Sequence, residues 1–277
     1  MNDLIIGCST NYTWDTIKYW VNSVNASGYK GDKAMILMNC DAETAQKVVD
    51  AGFAVIGFEQ NENGDLVYQS KLAVHVERFL HIYDILSKNE YRYVVTTDVK
   101  DVVFQKDPIE FVEKFIGDSN LIASSESIKY KDEPWGNQNL MDTFGPGIHE
   151  RFKENVVWNV GVLAGKGNAI RDLALTIFLM SINRPIPIVD QSTFNVLMNL
   201  EPYLSTTLYT GSESAWACQL GTTADPSKIE EFRPNLLDPS PKLEGDIVTT
   251  SSGHEYHIVH QYDRVPEWRK VIEAKYG

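Results

Sequence analysis

The sequence predicts an α/β fold in a single domain, with a mostly parallel sheet flanked by helices. Apolar strands and amphipathic helices alternate through the first part of the chain, which is typical of right-handed βαβ units. A β-branched run at 93–97 leads directly into Asp98 and Asp101, as a buried parallel strand does where it ends at a ligand site. The length of 277 residues and the hydrophobic content of 43% suit one large domain with a sizeable core.

Each element of the first part follows from local patterns. Gly28 and Gly52 fall where two helical patterns end, and glycine is a common helix stop. The helix before the aspartate strand carries apolar residues on one face. The predicted strands are 4–9, 33–38, 53–58 and 91–97, and the predicted helices are 15–27, 42–51 and 70–86.

The pattern changes after Pro108. Residues 129–147 are polar and lack a clear period, which favours an active-site loop. Residues 222–242 are proline-rich and irregular. The remaining predictions are strands at 121–124, 156–164 and 256–260, and helices at 109–115, 169–182, 190–199 and 266–275.

Composition excludes several classes of protein. The formal charge of −13 argues against a broad nucleic-acid footprint, which needs clustered positive charge. No apolar run is long enough to span a bilayer, and residues 1–7 do not resemble a signal peptide. Three widely spaced cysteines suit a reducing compartment without a disulfide framework or zinc knuckle. We therefore expect a cytoplasmic protein, bacterial or virus-encoded.

The two aspartates after the strand at 91–97 are the first candidate site. Carboxylates at a strand end are hard oxygen ligands, suited to Mg²⁺ or Mn²⁺ bridging phosphate oxygens. The alternative is that Asp98 and Asp101 only cap a turn or a helix. The chain has neither a GxGxxG loop after strand one nor a GxxxxGK[ST] loop, so a bound diphosphate would have to be neutralised by other means.

Three further residues are candidates in the first half. Asn11 and Tyr12 follow strand one and could bind a nucleobase by hydrogen bonding and stacking, or could form an ordinary βα turn. Arg78 lies beside the apolar face of its helix. Such an arginine often extends to solvent, but here it could balance the acidic site or bind a phosphate.

The second half adds polar residues within apolar elements. Asn159 interrupts an apolar strand and must find a partner, while Gly161 permits close approach of a ligand or another backbone. Asp190 is either a helix N-cap or a general base facing an acceptor hydroxyl. Strand alternation places His257 and His260 on opposite faces, and the polar run after His260 favours His260 for the site.

Together these residues resemble the metal-dependent glycosyltransferases of the GT-A fold, including glycogenin-type and bacterial galactosyltransferase-type enzymes. The chain is also similar to bacterial and viral sugar-nucleotide transferases. The usual Asp-x-Asp motif would need an aspartate where this chain has Thr96, so its motif is Asp98-x-x-Asp101. The matching features are Arg78, the stretch 97–105, Asn159 with Gly161, Asp190 with Gln191, and the run 260–264.

The resemblance implies a Rossmann-like mixed sheet flanked by helices, with 1–107 as the nucleotide-sugar half and 108–277 as the acceptor half. It implies a hexosyl- or pentosyltransferase moving sugar from a UDP-sugar to a glycan or glycoprotein, either inverting or retaining. Asp98, Asp101 and His260 would hold Mn²⁺ or Mg²⁺. The implied donor residues are Asn11, Tyr12, Lys71, Arg78, Thr97, Asn159 and Gly161, the catalytic residues Asp190 and Gln191, and the acceptor contacts Glu133, Trp135 and Asn139.

Two other classes fit parts of the sequence. A sugar-nucleotide nucleotidyltransferase is also α/β and metal-dependent, but it would need a glycine-rich basic loop after strand one. A non-catalytic protein that binds carbohydrate or nucleotide-sugar is the other alternative, and Thr96 is the feature that suggests it. Metal-dependent binding of UDP together with slow hydrolysis of a UDP-sugar would distinguish the transferase from both.

Overall fold

The computed structural model describes residues 1–277. Strands and helices alternate in the first half as the sequence predicts. The strands are β1 (Leu4–Thr10), β2 (Asp32–Asn39), β3 (Ala54–Ile56), β4 (Glu59–Gln60), β5 (Leu66–Val67), β6 (Tyr93–Thr97), β7 (Val102–Phe104), β8 (Leu121–Lys129), β9 (Val156–Lys166), β10 (Thr207–Thr210), β11 (Ala217–Gln219), β12 (Lys242–Glu244), β13 (Ile247–Thr249) and β14 (Ile258–His260).

The helices lie between and around these strands. They are α1 (Trp14–Ala26), α2 (Ala42–Asp50), α3 (Val74–Lys88), α4 (Pro108–Phe115), α5 (Pro134–Phe152), α6 (Gly167–Ser181), α7 (Asp190–Met198), α8 (Tyr203–Thr206), α9 (Leu220–Thr223), α10 (Ile229–Phe232) and α11 (Pro266–Tyr276). No helix combines the length and the apolar character needed to cross a membrane.

A seven-stranded mixed sheet organises the fold, in the order β10-β8-β9-β6-β1-β2-β3. β1 pairs in parallel with both β2 and β6, whereas β9 is antiparallel to its neighbours β6 and β8. Strands from both halves of the chain therefore form one sheet, which confirms the predicted single α/β domain.

Side-chain alternation on the strands builds a core on each face of this sheet. Ile5 of β1 packs in the cluster that contains Trp20 of α1. Its neighbours Leu4 and Ile6 pack on the opposite face, in the cluster that contains Phe79 of α3. Burying both faces of a sheet is what makes its strands continuous apolar runs, and it leaves the strand ends for polar groups.

A smaller sheet, β11-β14-β7, lies beside the end of β6. In its antiparallel pairing, His260 of β14 lies opposite Val102 of β7. The backbone N–H of Gln261 donates to the carbonyl oxygen of Asp101 at 2.7 Å. This pairing fixes a histidine from the last part of the chain against the two aspartates that follow β6.

The predicted polar loop at 129–147 is wrong, because most of it belongs to helix α5. Pro134 occupies the first turn, where its missing N–H costs nothing, and the Glu133 carboxylate caps the helix by accepting from the Gly136 N–H. Gly145, with φ 78°, and Pro146 kink the helix. The kink interrupts the apolar period, which is why the sequence pattern did not reveal a helix.

Candidate active site

A cavity of about 600 Å³ opens at the carboxyl ends of the central strands. Cys8 and Thr10 of β1, Asp98 after β6 and Asn159 of β9 contribute to its lining. This is the position at which open α/β sheets bind ligands. The cavity brings residues of both halves of the chain together, because β9 runs antiparallel between β6 and β8.

Asp98, Asp101 and His260 meet in this cavity. One ligand-type atom from each residue lies within 4.8 Å of the other two. His260 Nε2 is 3.6 Å from Asp98 Oδ2 and 3.6 Å from Asp101 Oδ1. Neither carboxylate accepts a hydrogen bond from a backbone N–H, so the alternative of a turn cap or helix cap does not describe them.

The imidazole of His260 is oriented by Gln219, on the side away from the aspartates. Its Nδ1 lies 2.7 Å from Gln219 Oε1, and Gln219 Nε2 donates to Ser124 Oγ at 2.9 Å. Since an amide oxygen only accepts, Nδ1 carries the proton and Nε2 faces the aspartates. His257 points to the other side, where its Nδ1 lies 2.7 Å from the carbonyl oxygen of Asp107, as strand alternation predicts.

Arg78 is the buried cation of the site. It is 7% exposed, donates from one terminal nitrogen to Asp98 and donates from the other to Asp190 Oδ2 at 3.1 Å. Burial opposes the charge, but Asp98 and Asp190 together raise the pKa of Arg78 above its ordinary value. Burial alone would raise the pKa of Asp98, and Arg78 and His260 reverse this and hold it well below its usual range.

Asp190 is the first residue of α7 and not its N-cap, which is Val189. Its carboxylate is buried against Arg78. Burial raises the pKa of Asp190, and the positive charge of Arg78 opposes this shift. The neighbouring Gln191 uses its whole amide inside the protein, because Oε1 accepts from the Val160 N–H at 2.8 Å and Nε2 donates to Glu126 at 2.7 Å.

Gly161 is required by close packing against the acidic cluster. A Cβ placed there would lie 2.6 Å from His260 Cε1 and 2.7 Å from Asp98 Oδ2. Its N–H donates to Asn159 Oδ1 at 2.8 Å, and the Asn159 Nδ2 donates to Glu126 Oε1 at 2.8 Å. Asn159 thus connects the metal-type cluster to a buried glutamate.

Glu126 is the main site residue that sequence reasoning missed. It lies in β8, lines the cavity and is 7% exposed. Burial raises the pKa of its carboxyl, and the hydrogen bond from Asn159 opposes the shift. The signal was the polar run 124–127 inside a strand, where Ser127 adopts a φ of 57° and the register with β9 is interrupted.

Most predicted residues reach the cavity, and some do not. Tyr12, Glu133 and Trp135 line it, together with the predicted metal-type and catalytic residues. Three cations that were not predicted also line it, namely Lys100, Lys228 and Arg264.

Four predicted residues lie away from the lining, each for a local reason. Asn11 is exposed and donates to Thr10 Oγ1 at 3.3 Å, and Lys71 is exposed ahead of α3. Thr97 is buried where its hydroxyl accepts from Trp20 Nε1 at 2.8 Å. Asn139 is buried in α5 and donates to the carbonyl oxygen of Ile188 at 2.7 Å.

The fold is shared with known enzymes. The chain is similar to the apo structure of WbbM, a bifunctional glycosyltransferase, with a TM-score of 0.59 and 10% identity over 98% of this chain and 51% of that one. It is also similar to the glycosyltransferase GlyE of Streptococcus pneumoniae TIGR4, with a TM-score of 0.52 and 12% identity over 94% of this chain and 54% of that one. The chain has a glycosyltransferase fold. It spans about half the length of each of these structures.

This likeness confirms the glycosyltransferase fold that the sequence motifs predicted. It comes from structure alone, because no protein-family model and no curated protein matches the sequence. At 10% and 12% identity, a shared fold does not determine which reaction the site carries out.

The ion pairs of Arg78 should contribute strongly to the stability of the fold at neutral pH. Replacing Arg78 by Met leaves buried Asp190 without its cation, so we expect a loss of about 3–5 kcal/mol in the free energy of unfolding at pH 7. The loss should shrink at pH 5, because the unpaired carboxylates take up protons there. Urea unfolding at the two pH values measures both effects.

Arg233→Met is the matched control, because Arg233 pairs with Glu230 while 59% and 83% of the two side chains are exposed. Exposed pairs of this kind contribute about 0–1 kcal/mol. Equal losses for the two variants would show that Arg78 does not hold the site together.

The imidazole of His260 should remain protonated through neutral pH when a chelator keeps metal away. Burial lowers its pKa, but Asp101 and Asp98 outweigh burial and raise it to about 10. Since this value exceeds the unfolded value of about 6.5, the stabilisation is complete below pH 6.5 and is lost as the pH rises towards 10.

An NMR titration of the imidazole measures this pKa directly. Asp101→Asn should lower it, whereas Asp15→Asn, on the exposed first turn of α1, should leave it unchanged. A wild-type pKa at or below 6.5 would contradict the proximity of the two carboxylates.

Proposed function

We propose that this chain is a glycosyltransferase that uses a UDP-sugar donor with Mn²⁺ or Mg²⁺. The observation that carries the proposal is the cluster of Asp98, Asp101 and His260, placed in the strand-end cavity of a chain with a glycosyltransferase fold. The chain has no glycine-rich phosphate loop, so a divalent cation is the group best suited to neutralise a diphosphate there.

The donor atoms of the cluster fit such an ion. Two carboxylates and an imidazole suit Mn²⁺ well and Mg²⁺ acceptably. His260 presents Nε2 because Gln219 holds Nδ1, and this kind of outer contact is what orients metal-binding histidines. The bound ion would supply Lewis-acid stabilisation of the departing nucleotide diphosphate.

Basic side chains of the cavity lining would also contact the diphosphate. Lys100 and Arg264 line the cavity and share Asp263, with Lys100 Nζ 3.5 Å from Oδ2 and Arg264 Nε 3.6 Å from Oδ1. Their exposed side chains can turn towards phosphate oxygens. Tyr12 lines the same end and offers its ring to the uracil, whereas Asn11 and Lys71 would have to approach from outside the lining.

At the sugar end, we assign different roles to Asp190 and to the two amide residues. Asp190 is the candidate base if the reaction inverts the anomeric centre, and Arg78 holds its Oδ2 in place. In a retaining reaction, Asp190 would line the reactive face of the sugar. Gln191 and Asn159 act as positioning residues, because both amides are committed to Glu126 and to the backbone of β9.

The acceptor end lies at the start of α5. Trp135 is 53% exposed on the cavity rim, and an aromatic face stacks well on the apolar face of a sugar ring. Buried Glu133 lines the cavity beside it, and its charge also acts on Glu126. Glu133 can therefore accept hydrogen bonds from hydroxyl groups of the acceptor or of the donor sugar. We therefore propose a glycan or glycoprotein acceptor.

Calorimetric titration with UDP tests the proposal. UDP should bind in Mn²⁺ and lose at least about 100-fold in affinity when the ion is chelated. Asp98→Asn and Asp101→Asn should each weaken binding in Mn²⁺ and slow the hydrolysis of a UDP-sugar by at least about 10-fold, while Asp15→Asn should change neither.

Three results would contradict the proposal. Equal affinity for UDP with and without Mn²⁺ would show that no metal takes part in binding. Unimpaired hydrolysis by Asp98→Asn would show that Asp98 is not a metal ligand. Binding without any hydrolysis or transfer, over a panel of UDP- and GDP-sugars, would indicate a non-catalytic binding protein.

A further inference from the structure

We propose that the sugar end of the cavity selects donors whose sugar carries no carboxylate, and that Glu126 and Glu133 enforce this selection. The inference rests on the proposed function and names the class of donor that the site takes. It follows from an excess of buried negative charge at one end of the cavity.

The two glutamates are buried without cationic partners. Glu126 is 7% exposed and Glu133 is 6% exposed, and both line the cavity. No Lys, Arg or His nitrogen lies within 4.0 Å of either carboxylate. Arg78, the one buried guanidinium of the cavity, is already shared between Asp98 and Asp190.

The side chain of Glu126 is held in a fixed position by two amides. Its Oε1 accepts from both Asn159 Nδ2 and Gln191 Nε2, at 2.8 Å and 2.7 Å. Its backbone carbonyl accepts from Thr222 Oγ1 at 2.6 Å. Burial raises the pKa of this carboxyl, and the two amide donors on Oε1 oppose that shift. Oε2 receives no hydrogen bond from the chain, which leaves it for a ligand in the cavity.

This carboxylate lies one side chain away from the cluster proposed to hold the ion. Asn159 donates to Glu126 and accepts from the Gly161 N–H, and Gly161 packs against Asp98 and His260. A sugar attached to a diphosphate at the cluster would therefore be placed beside Glu126. Glu133 stands in the same lining, fixed by its cap contact with the Gly136 N–H.

A sugar hydroxyl and a sugar carboxylate would interact differently with Glu126 and Glu133. A hydroxyl donates to a free carboxylate oxygen and forms a charge-assisted hydrogen bond. A second carboxylate has no proton to donate and is repelled, and burial leaves that repulsion poorly screened. Lys228 also belongs to the lining, but it is exposed at the rim, where water screens its charge.

Matched donor pairs test the selection, with UDP itself as the reference. UDP-glucose and UDP-glucuronate differ only at the sugar's C6, as do UDP-galactose and UDP-galacturonate. In Mn²⁺, we expect the acid of each pair to bind at least about 10-fold more weakly than its neutral partner and more weakly than UDP alone. Because both members share one stereochemistry, a poor fit of the sugar ring affects them equally.

Two variants assign the effect to the glutamates. Glu126→Gln and Glu133→Gln should each reduce the ratio of the affinity for the neutral donor to that for the acidic donor by at least about threefold. The reason is that each variant removes one negative charge from the cavity lining. Glu154→Gln is the control, because Glu154 is an exposed partner of Lys131, and it should leave the ratio unchanged. Thermal unfolding of each variant establishes that it is folded.

The outcomes are distinct. Tight binding of UDP in Mn²⁺ with equal affinity for the neutral and acidic members would overturn the selection and leave the proposed function standing. A preserved ratio in both folded glutamine variants would overturn the assignment to Glu126 and Glu133. Failure of UDP itself to bind in Mn²⁺ would overturn the proposed function and this inference with it.

Discussion

The site depends on one buried guanidinium placed between two carboxylates. Arg78 comes from α3, Asp98 from the end of β6 and Asp190 from the start of α7. Asp190 is buried, whereas 31% of the Asp98 side chain is exposed, and removing a carboxylate from water is costly unless a cation and hydrogen bonds compensate it. Arg78 provides both, so Asp98 can stay ionised beside the rest of the acidic cluster. The same contact ties a helix on one face of the sheet to the strand ends.

The topology supplies the remaining groups from distant parts of the chain. β9 runs antiparallel between β6 and β8 and brings Asn159 and Gly161 next to Asp98 at the end of β6. The small sheet pairs β14 with β7 and places His260 over the aspartates. Gly161 lets these layers approach closely, because any side chain there would meet both His260 and Asp98. The resulting cavity has buried carboxylates in Glu126 and Glu133 and exposed cations in Lys100 and Arg264.

Much of this was predictable because the decisive signals were local. The alternation of strands and helices indicated the sheet, and the apolar run before Asp98 indicated a strand that ends at a site. Helix α5 was missed because Gly145 and Pro146 break its period. Glu126 was missed because its role comes from contacts with Asn159 and Gln191 that only the folded chain provides. Thr97 and Asn139 are polar residues with internal partners, and a sequence cannot show that their hydrogen bonds are already used.

The metal site is tested most directly by a crystal structure grown with UDP and MnCl₂, with anomalous differences recorded at the manganese edge. We expect one strong anomalous peak bounded by Asp98, Asp101 and His260, in contact with the diphosphate oxygens. A peak elsewhere in the cavity, or ordered UDP without a peak, would show that this acidic strand end does not recruit the ion.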